Sequence, residues 1–345
     1  MANYAKAIMG DIQRPVIGKR SVWWFLLFLT LLGISIALSL FWGSHQLDSS
    51  TVLQVLGGQG PDQAQKIIWE QRIPRTGLAL VCGAALALAG SLMQSLTRNP
   101  LAEPGLLGIN AGASVAVVLS VVLWGAAGIY RYMGAALVGA CLATLAVYLL
   151  GRGARSSIIR LALAGVALSA ALSALNQALI LSNQEAYDEF RFWVAGSLQG
   201  RGSDIFLALC PLLGLGFLLA FWVTPAINAL AMGEESAISL GVNLKKTYFL
   251  TLVVVTLLAG LVTAAIGPIA FVGLAVPYMV RYFVGNDLRW VNLGSMILGP
   301  CWLLSADVLA RLIFAPQETH VGIIATLVGA PFFVIMMSRR KEVVL

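Results

Sequence analysis

Nine stretches of this chain run for 17 or more residues without a charged side chain, at 21–47, 76–97, 104–130, 132–151, 161–184, 205–233, 247–280, 290–306 and 319–338. All are mostly apolar. A hydrocarbon layer of about 30 Å is crossed by roughly 20 apolar residues in a helix that rises about 1.5 Å per residue. Nearly the whole chain therefore belongs inside a bilayer. Closed β-barrels are the other structure able to span one, but they announce themselves by alternation over about ten residues. These runs are continuous, so the expected class is all-α.

The 247–280 run holds 34 residues and would reach about 51 Å as one helix. Gly267-Pro268 interrupts it and Pro277 follows. Proline removes a backbone donor and clashes with the preceding turn, so two helices are expected there; one kinked helix is the alternative. The split gives ten membrane helices with both termini on one side. Basic residues gather on the cytoplasmic face of membrane proteins. With the N-terminus inside, inner segments carry fifteen Lys and Arg against seven outside, and six acids against nine, which sums to the net charge of +7. The expected organisation is a cytoplasmic segment at 1–20, one ten-helix domain at 21–338 and a cytoplasmic tail at 339–345. Trp23, Trp24 and Trp42 bracket the first span as interfacial aromatics do. The basic balance is thereby spent on membrane orientation, and no nucleic-acid partner is expected.

Cys82, Cys141, Cys210 and Cys301 lie singly in apolar spans, and His45 and His320 stand alone. Neither pattern supports a metal site or disulfides, and no cofactor is expected. The chain has no G-x-x-x-x-G-K-[ST] loop, no G-x-S-x-G elbow and no H-E-x-x-H. No Asp, Glu or Lys falls mid-span, where ion-coupled carriers keep theirs. An enzyme is not expected, and energy for uphill transport would have to enter through another subunit.

Three segments carry specific information. In Arg72-Ile73-Pro74-Arg75 two arginines flank a φ-fixing proline at the outer end of the second helix. They suit helix-end anchoring, or docking of a partner's carboxylates through bidentate contacts. Arg311 extends that patch or pairs with Asp307. In the 97–114 segment, Pro100 and Pro104 stop the second helix while Gly105 and Gly108 permit tight turns. Gly112 and Ala113, like Gly83, Ala87 and Gly90, allow close helix approach; packing and a moving hinge both fit. In the 233–247 segment, Glu234 and Glu235 open a short helix and Lys245 and Lys246 follow it, as the helix dipole favours. Ala237, Leu240 and Gly241 give it a small apolar face, suited to a soluble partner or to a plain solvated loop.

RIPRTGLALVCGAALALAGSLMQSLTRNPLAEPGLLGINAGAS at 72–114 resembles the permease subunits of bacterial ABC importers for ferric siderophores, haem and vitamin B12. The likeness continues in order through RFWVAGSL at 191–198, EESAISLGVNL at 234–244, GPIAFVGLAVPYMVR at 267–281, SADVLAR at 305–311 and LVGAPFFV at 327–334. The resemblance implies a second permease subunit, homologous or identical, two cytoplasmic ABC ATPases and a periplasmic siderophore-binding protein, assembled in the bacterial inner membrane. It makes Arg72, Arg75 and Arg311 receivers of acids on the binding protein. It makes Glu234, Glu235, Ala237, Leu240 and Gly241 the ATPase-coupling element. The second helix and its following turns become the part that rearranges between outward- and inward-facing states. Asn110, Ser114, Asn176 and Gln177 are candidates for the translocation path. The cargo implied is a ferric siderophore, leaning to catecholates; vitamin B12 or haem are alternatives within the family. A passive channel or ion-coupled carrier is the alternative of another class, and it would need no coupling element.

Overall fold

Of the two structures that satisfy a backbone in lipid, helices and closed barrels, the continuous charge-free runs form helices. The structure, a computed structural model, describes residues 19–126, 128–151 and 158–338. Its helices are α1 (Lys19–Phe41), α2 (Ser49–Leu56), α3 (Ile73–Thr97), α4 (Ile109–Trp124), α5 (Ile129–Gly151), α6 (Ile158–Ser182) and α7 (Gln184–Val194). They continue with α8 (Ser203–Ala231), α9 (Glu234–Ser239), α10 (Leu244–Ile266), α11 (Val272–Val284), α12 (Leu288–Leu312) and α13 (Val321–Ser338). A short turn at Asp62–Gln65 and a π-helical turn at Lys66–Arg72 lead straight into α3.

Seven described helices are long and apolar enough to cross a membrane, and the shorter apolar helices α4, α11 and α13 complete ten. The short helices α2, α7 and α9 lie between spans. The segments expected at 1–20 and 339–345 fall outside the described residues apart from Lys19 and Arg20, as do Arg152 and Arg155.

The expected break after α10 is present. Gly267 ends that helix with φ +80°, and α11 begins only at Val272. Irregular backbone survives at membrane depth only when protein supplies its partners. Here Ile266 O accepts from Ser197 N at 2.8 Å, and Gly196 O accepts from Gly322 N at 3.1 Å. The α7–α8 loop, the break and the start of α13 thus meet at one node.

Helix α3 is the axis of the bundle, buried along most of its length and packed against α1, α8, α10, α11 and α12. Its glycines set the distances. A Cβ on Gly83 would stand 2.7 Å from Gly299 O, and one on Gly90 would stand 1.7 Å from Gly273 O. Backbones in contact gain dispersion energy and shed side-chain entropy, which is how apolar helices associate without a hydrophobic drive.

Buried polar side chains then fix which faces meet. Ser91 Oγ donates to Asn292 Oδ1 at 2.7 Å, and Asn292 Nδ2 donates to Thr224 Oγ1 at 2.8 Å. Arg281, one of the fifteen basic residues counted on the inner side, is buried and donates to Ser95 Oγ at 2.8 Å. That network joins α3, α8, α11 and α12. The four cysteines are free, with Cys82 and Cys301 buried and Cys141 exposed.

Gly90→Ala is expected to destabilise the protein by about 1–3 kcal/mol, the usual range for overpacking. Gly214→Ala, on an α8 face with nothing within 4 Å, should be neutral. Thermal unfolding in detergent separates the two.

Candidate docking faces and translocation path

At the outer end of the bundle, α1 stops at Phe41 with no basic residue in its last turn. The final carbonyls of any helix lack intrahelical donors, and buried ones must find others. The arginines supply them. Arg72 Nη1 donates to Leu40 O at 2.6 Å and Phe41 O at 3.1 Å, and its Nη2 to His45 O at 2.6 Å. Arg311 Nη1 donates to Ser39 O at 3.1 Å and Trp42 O at 3.2 Å, while its Nη2 reaches Ser39 Oγ at 2.9 Å. Two guanidinium groups therefore cap one helix with full positive charge at its negative end.

Arg75 lies between them. Its Nε and Nη2 grip Asp307, with the shortest distance 2.7 Å to Oδ1, and its Nη1 meets Glu318 Oε2 at 2.6 Å. Arg311 Nη2 shares Asp307 from the other side, at 2.9 Å from Oδ2. Ser44 Oγ holds the second oxygen of Glu318 at 2.6 Å. Burial alone would raise the Glu318 pKa, but Arg75, the Ser44 hydrogen bond and Arg311 outweigh it and hold the carboxyl below its usual range.

Of the readings the sequence leaves open, the structure shows helix-end anchoring for Arg72 and the Asp307 pair for Arg311, and it buries all three arginines instead of leaving a solvent-facing patch. Their charges are engaged by α1 carbonyls, Asp307 and Glu318. Of the three, Arg75 alone lines the neighbouring polar cavity of about 780 Å³, beside Ser44, His45, Glu70, Arg201 and Glu318. Arg201, on the α7–α8 loop, went unremarked in the sequence. Its Nε is buried without a hydrogen-bond partner among the described residues, and burial pushes its pKa down.

At the other end, α9 joins α8 to α10. Gly233 (φ +115°) and Gly241 (φ +82°) turn the chain on either side of it. Ala237 is fully buried against the parent chain, whereas Glu234, Glu235, Leu240 and Gly241 are exposed. The small apolar face expected of this element is thus divided: Ala237 anchors it, and Met232, Ile238 and Leu240 are the large apolar side chains turned outward. Helical spacing with the exposed Glu pair held a hint of Ile238, but nothing in the sequence marked Ala237 as the inward residue. Tyr248 Oη donates to Glu234 Oε1 at 3.1 Å, fixing the start of α9 to α10.

The turns after α3 form as the prolines and glycines require. Arg98 caps α3 in the left-handed region (φ +50°), Pro104–Leu107 makes a 3-10 turn, and Gly108 (φ +73°) opens α4. Arg98 also donates to Leu230 O at the end of α8, tying the α3 terminus to the base of α9. Burial raises the pKa of Glu103 in this loop.

Asn110 lies on α4 with its Oδ1 accepting from Thr263 Oγ1 of α10 at 3.1 Å, and Ser114 sits one turn further. Asn176 and Gln177 lie on α6, the former buried with Oδ1 unpartnered among the described residues and the latter exposed. A Cβ on Gly165 of α6 would touch Leu106 O, just before α4. Asn176 is eleven residues further along α6, about 16 Å away. The four path candidates therefore occupy two depths and do not form one cluster.

The FecCD transport family matches residues 31–339 of this chain. The ferric enterobactin transport system permease protein FepD of Escherichia coli (strain K12) is 42% identical over 317 residues, covering 91% of this chain and 94% of that protein. The hemin transport system permease protein HmuU of Yersinia pestis is 36% identical over 326 residues, covering 91% and 95%. Among solved structures, an inward-facing conformation of a putative metal-chelate type ABC transporter superposes with a TM-score of 0.82 at 26% identity, over 91% of this chain and 98% of that one.

Asp307→Asn is expected to lower stability by about 3–5 kcal/mol, because it leaves Arg75 and Arg311 buried without their shared charge. A depressed carboxylate pKa contributes stability above its unfolded value, about 4.3 for Glu, and loses it as pH falls through the lower folded value. Glu318→Gln should therefore flatten the acid limb of a melting-temperature profile below about pH 4.3 and lower the plateau above it.

Proposed function

The chain belongs to the FecCD transport family, and we infer that it is the membrane-spanning permease subunit of an ATP-driven importer that carries a ferric siderophore, of the catecholate class, into the cell. The observation that carries this reading is the near end-to-end match to a ferric enterobactin permease, at 42% identity. The protein works as a multi-pass membrane subunit, in the bacterial inner membrane, beside a second permease subunit. ATP is hydrolysed in separate cytoplasmic ABC ATPases, and this chain is not itself an enzyme.

The geometry suits that division of labour. Buried in α3 and α12, Arg75 and Asp307 make a stiff outer rim, and the polar cavity beside them is where a periplasmic binding protein docks. Arg75 reaches that cavity directly, while Arg72 and Arg311 hold the frame behind it. Glu234, Glu235, Leu240 and Gly241 face outward on α9 and meet the ATPase, with Ala237 as the anchor that makes α9 move with α8 and α10. ATP binding and hydrolysis then shift the permease between two states by binding one better than the other. Asn110, Ser114, Asn176 and Gln177 offer neutral polar groups at two depths to a bulky, often anionic complex, without a fixed carboxylate to repel it.

Uptake of radiolabelled iron, offered as a panel of siderophores beside labelled haem and cobalamin, tests the reading in cells lacking the chain and then restored. Loss confined to a ferric catecholate, rescued by the wild type, is the expected result. Loss of haem uptake with normal siderophore uptake would instead favour the cargo of the 36% identical hemin permease. Glu235→Arg and Leu240→Asp should lower uptake at least about tenfold, equivalent to ~1.4 kcal/mol of lost coupling, with membrane levels unchanged. Full uptake by both variants would remove α9 from the coupling role.

A further inference from the structure

Arg75 divides its guanidinium between two unlike carboxylates. Asp307 takes Nε and Nη2 together, has no exposed surface and is shared with Arg311. Glu318 takes Nη1 alone, retains 12% of its side-chain exposure and lies in the segment between α12 and α13. That segment borders the polar cavity through Pro316, Gln317 and Glu318. Besides Arg75, the Ser44 hydroxyl donates to the Glu318 carboxylate at 2.6 Å, and Arg311 acts on it through its charge alone.

We propose that Arg75 is a carboxylate-exchange centre: an acidic side chain of the docking protein enters the cavity, takes Nη1 from Glu318 and loosens the α12–α13 segment. The inference rests on the docking role assigned above to this face. Exchange is favoured over addition because two carboxylates crowded on one donor repel each other. The occupant is a protein side chain, since the cavity opens at the outer rim beside α2–α3 and α7–α8 surface residues such as Gln71, Gln199 and Gly200. Charge complementarity also points there. Arg75 and Arg201 both line this cavity, and with Glu318 gone they would face one remaining carboxylate of the lining, Glu70.

The loosening has a direct structural reach. Glu318 stands three residues before α13, whose Gly322 N is bonded to Gly196 O at the node beside the α10–α11 break. Thr319 N on Ala310 O at 3.1 Å and the Phe192–His320 stack still tether the segment, so an acid arriving from outside would loosen one of these three holds rather than free it.

A gain of affinity tests this, because a damaged fold does not produce one. The complete transporter is placed in lipid nanodiscs, and the probe is the periplasmic siderophore-binding protein of the same cells, loaded with the siderophore whose uptake the preceding assay assigns to this chain. Glu318→Gln removes the competing charge and should tighten binding about fivefold, the scale of one partly exposed ion pair. Ser44→Ala, which only loosens Glu318, should give a smaller gain of the same sign. Unchanged or weaker binding in both variants overturns the exchange. If the wild-type complex binds no such protein, the docking reading itself falls. Free ferric siderophore that binds Glu318→Gln more tightly, without the protein, would overturn the assignment of a protein acid as occupant.

Discussion

A helix that ends within or beside a membrane leaves carbonyls that water does not reach. The outer half of this protein is organised around that need. α1 ends without a residue able to cap it, and its last carbonyls are answered by arginines from α3's lead-in turn and from α12. Those cations are themselves expensive to bury. Arg72 is satisfied by carbonyls, and Arg311 by carbonyls together with Asp307. Asp307 in turn binds Arg75, and Arg75 recruits Glu318 from the next connection. One helix end in need of donors thus accounts for the convergence of five charged side chains, Arg72 from the turn before α3, Arg75 from α3, Asp307 and Arg311 from α12, and Glu318 from the α12–α13 segment.

The inner half solves a different problem with weaker interactions. Arg98 and Tyr248 tie the ends of α3 and α10 to the α8–α9 junction through single hydrogen bonds. Asn228 of α8 makes a pair of bonds to the start of α12, donating to Asp287 Oδ1 at 2.9 Å and accepting from Leu288 N at 3.0 Å. Deeper in the same half, the buried Arg281 is held by Ser95 Oγ at 2.8 Å. The two halves therefore differ in kind: a shared carboxylate binds Arg75 and Arg311 in the outer one, and neutral oxygens bind Arg281 in the inner one.

The spans were legible because lipid tolerates so few sequences: unbroken apolar runs fix the helices, and Gly267-Pro268 fixes the one break inside a run. The small-residue face of α3 was legible too, since Gly83, Ala87 and Gly90 share one side of a helix. The arginines were harder. Sequence spacing shows that Arg72 and Arg75 are close, but not that their partners lie on α1 or, for Arg75, 232 residues away at Asp307. A helix-terminal arginine pair reads the same whether it faces water or a neighbour's carbonyls. Charge counting puts Arg281 on the inner side but says nothing of burial, and Ser91 O and Ser95 Oγ of α3 hold it inside the bundle. Ala237 shows the limit at short range, because a six-residue helix has too few turns to reveal which side is inward.

The glycine crossings also constrain how the chain can change. Gly83 and Gly299 press on each other, and a Cβ on either would strike the other's carbonyl, at 2.7 and 2.2 Å. In an ordinary core, a side chain that grows can be rescued by a neighbour that shrinks. Here neither neighbour has anything left to lose. A suppressor of a Gly83 or Gly299 substitution must therefore arise elsewhere, in residues that let whole helices separate, and its genetic map would trace the surfaces along which this bundle is able to move.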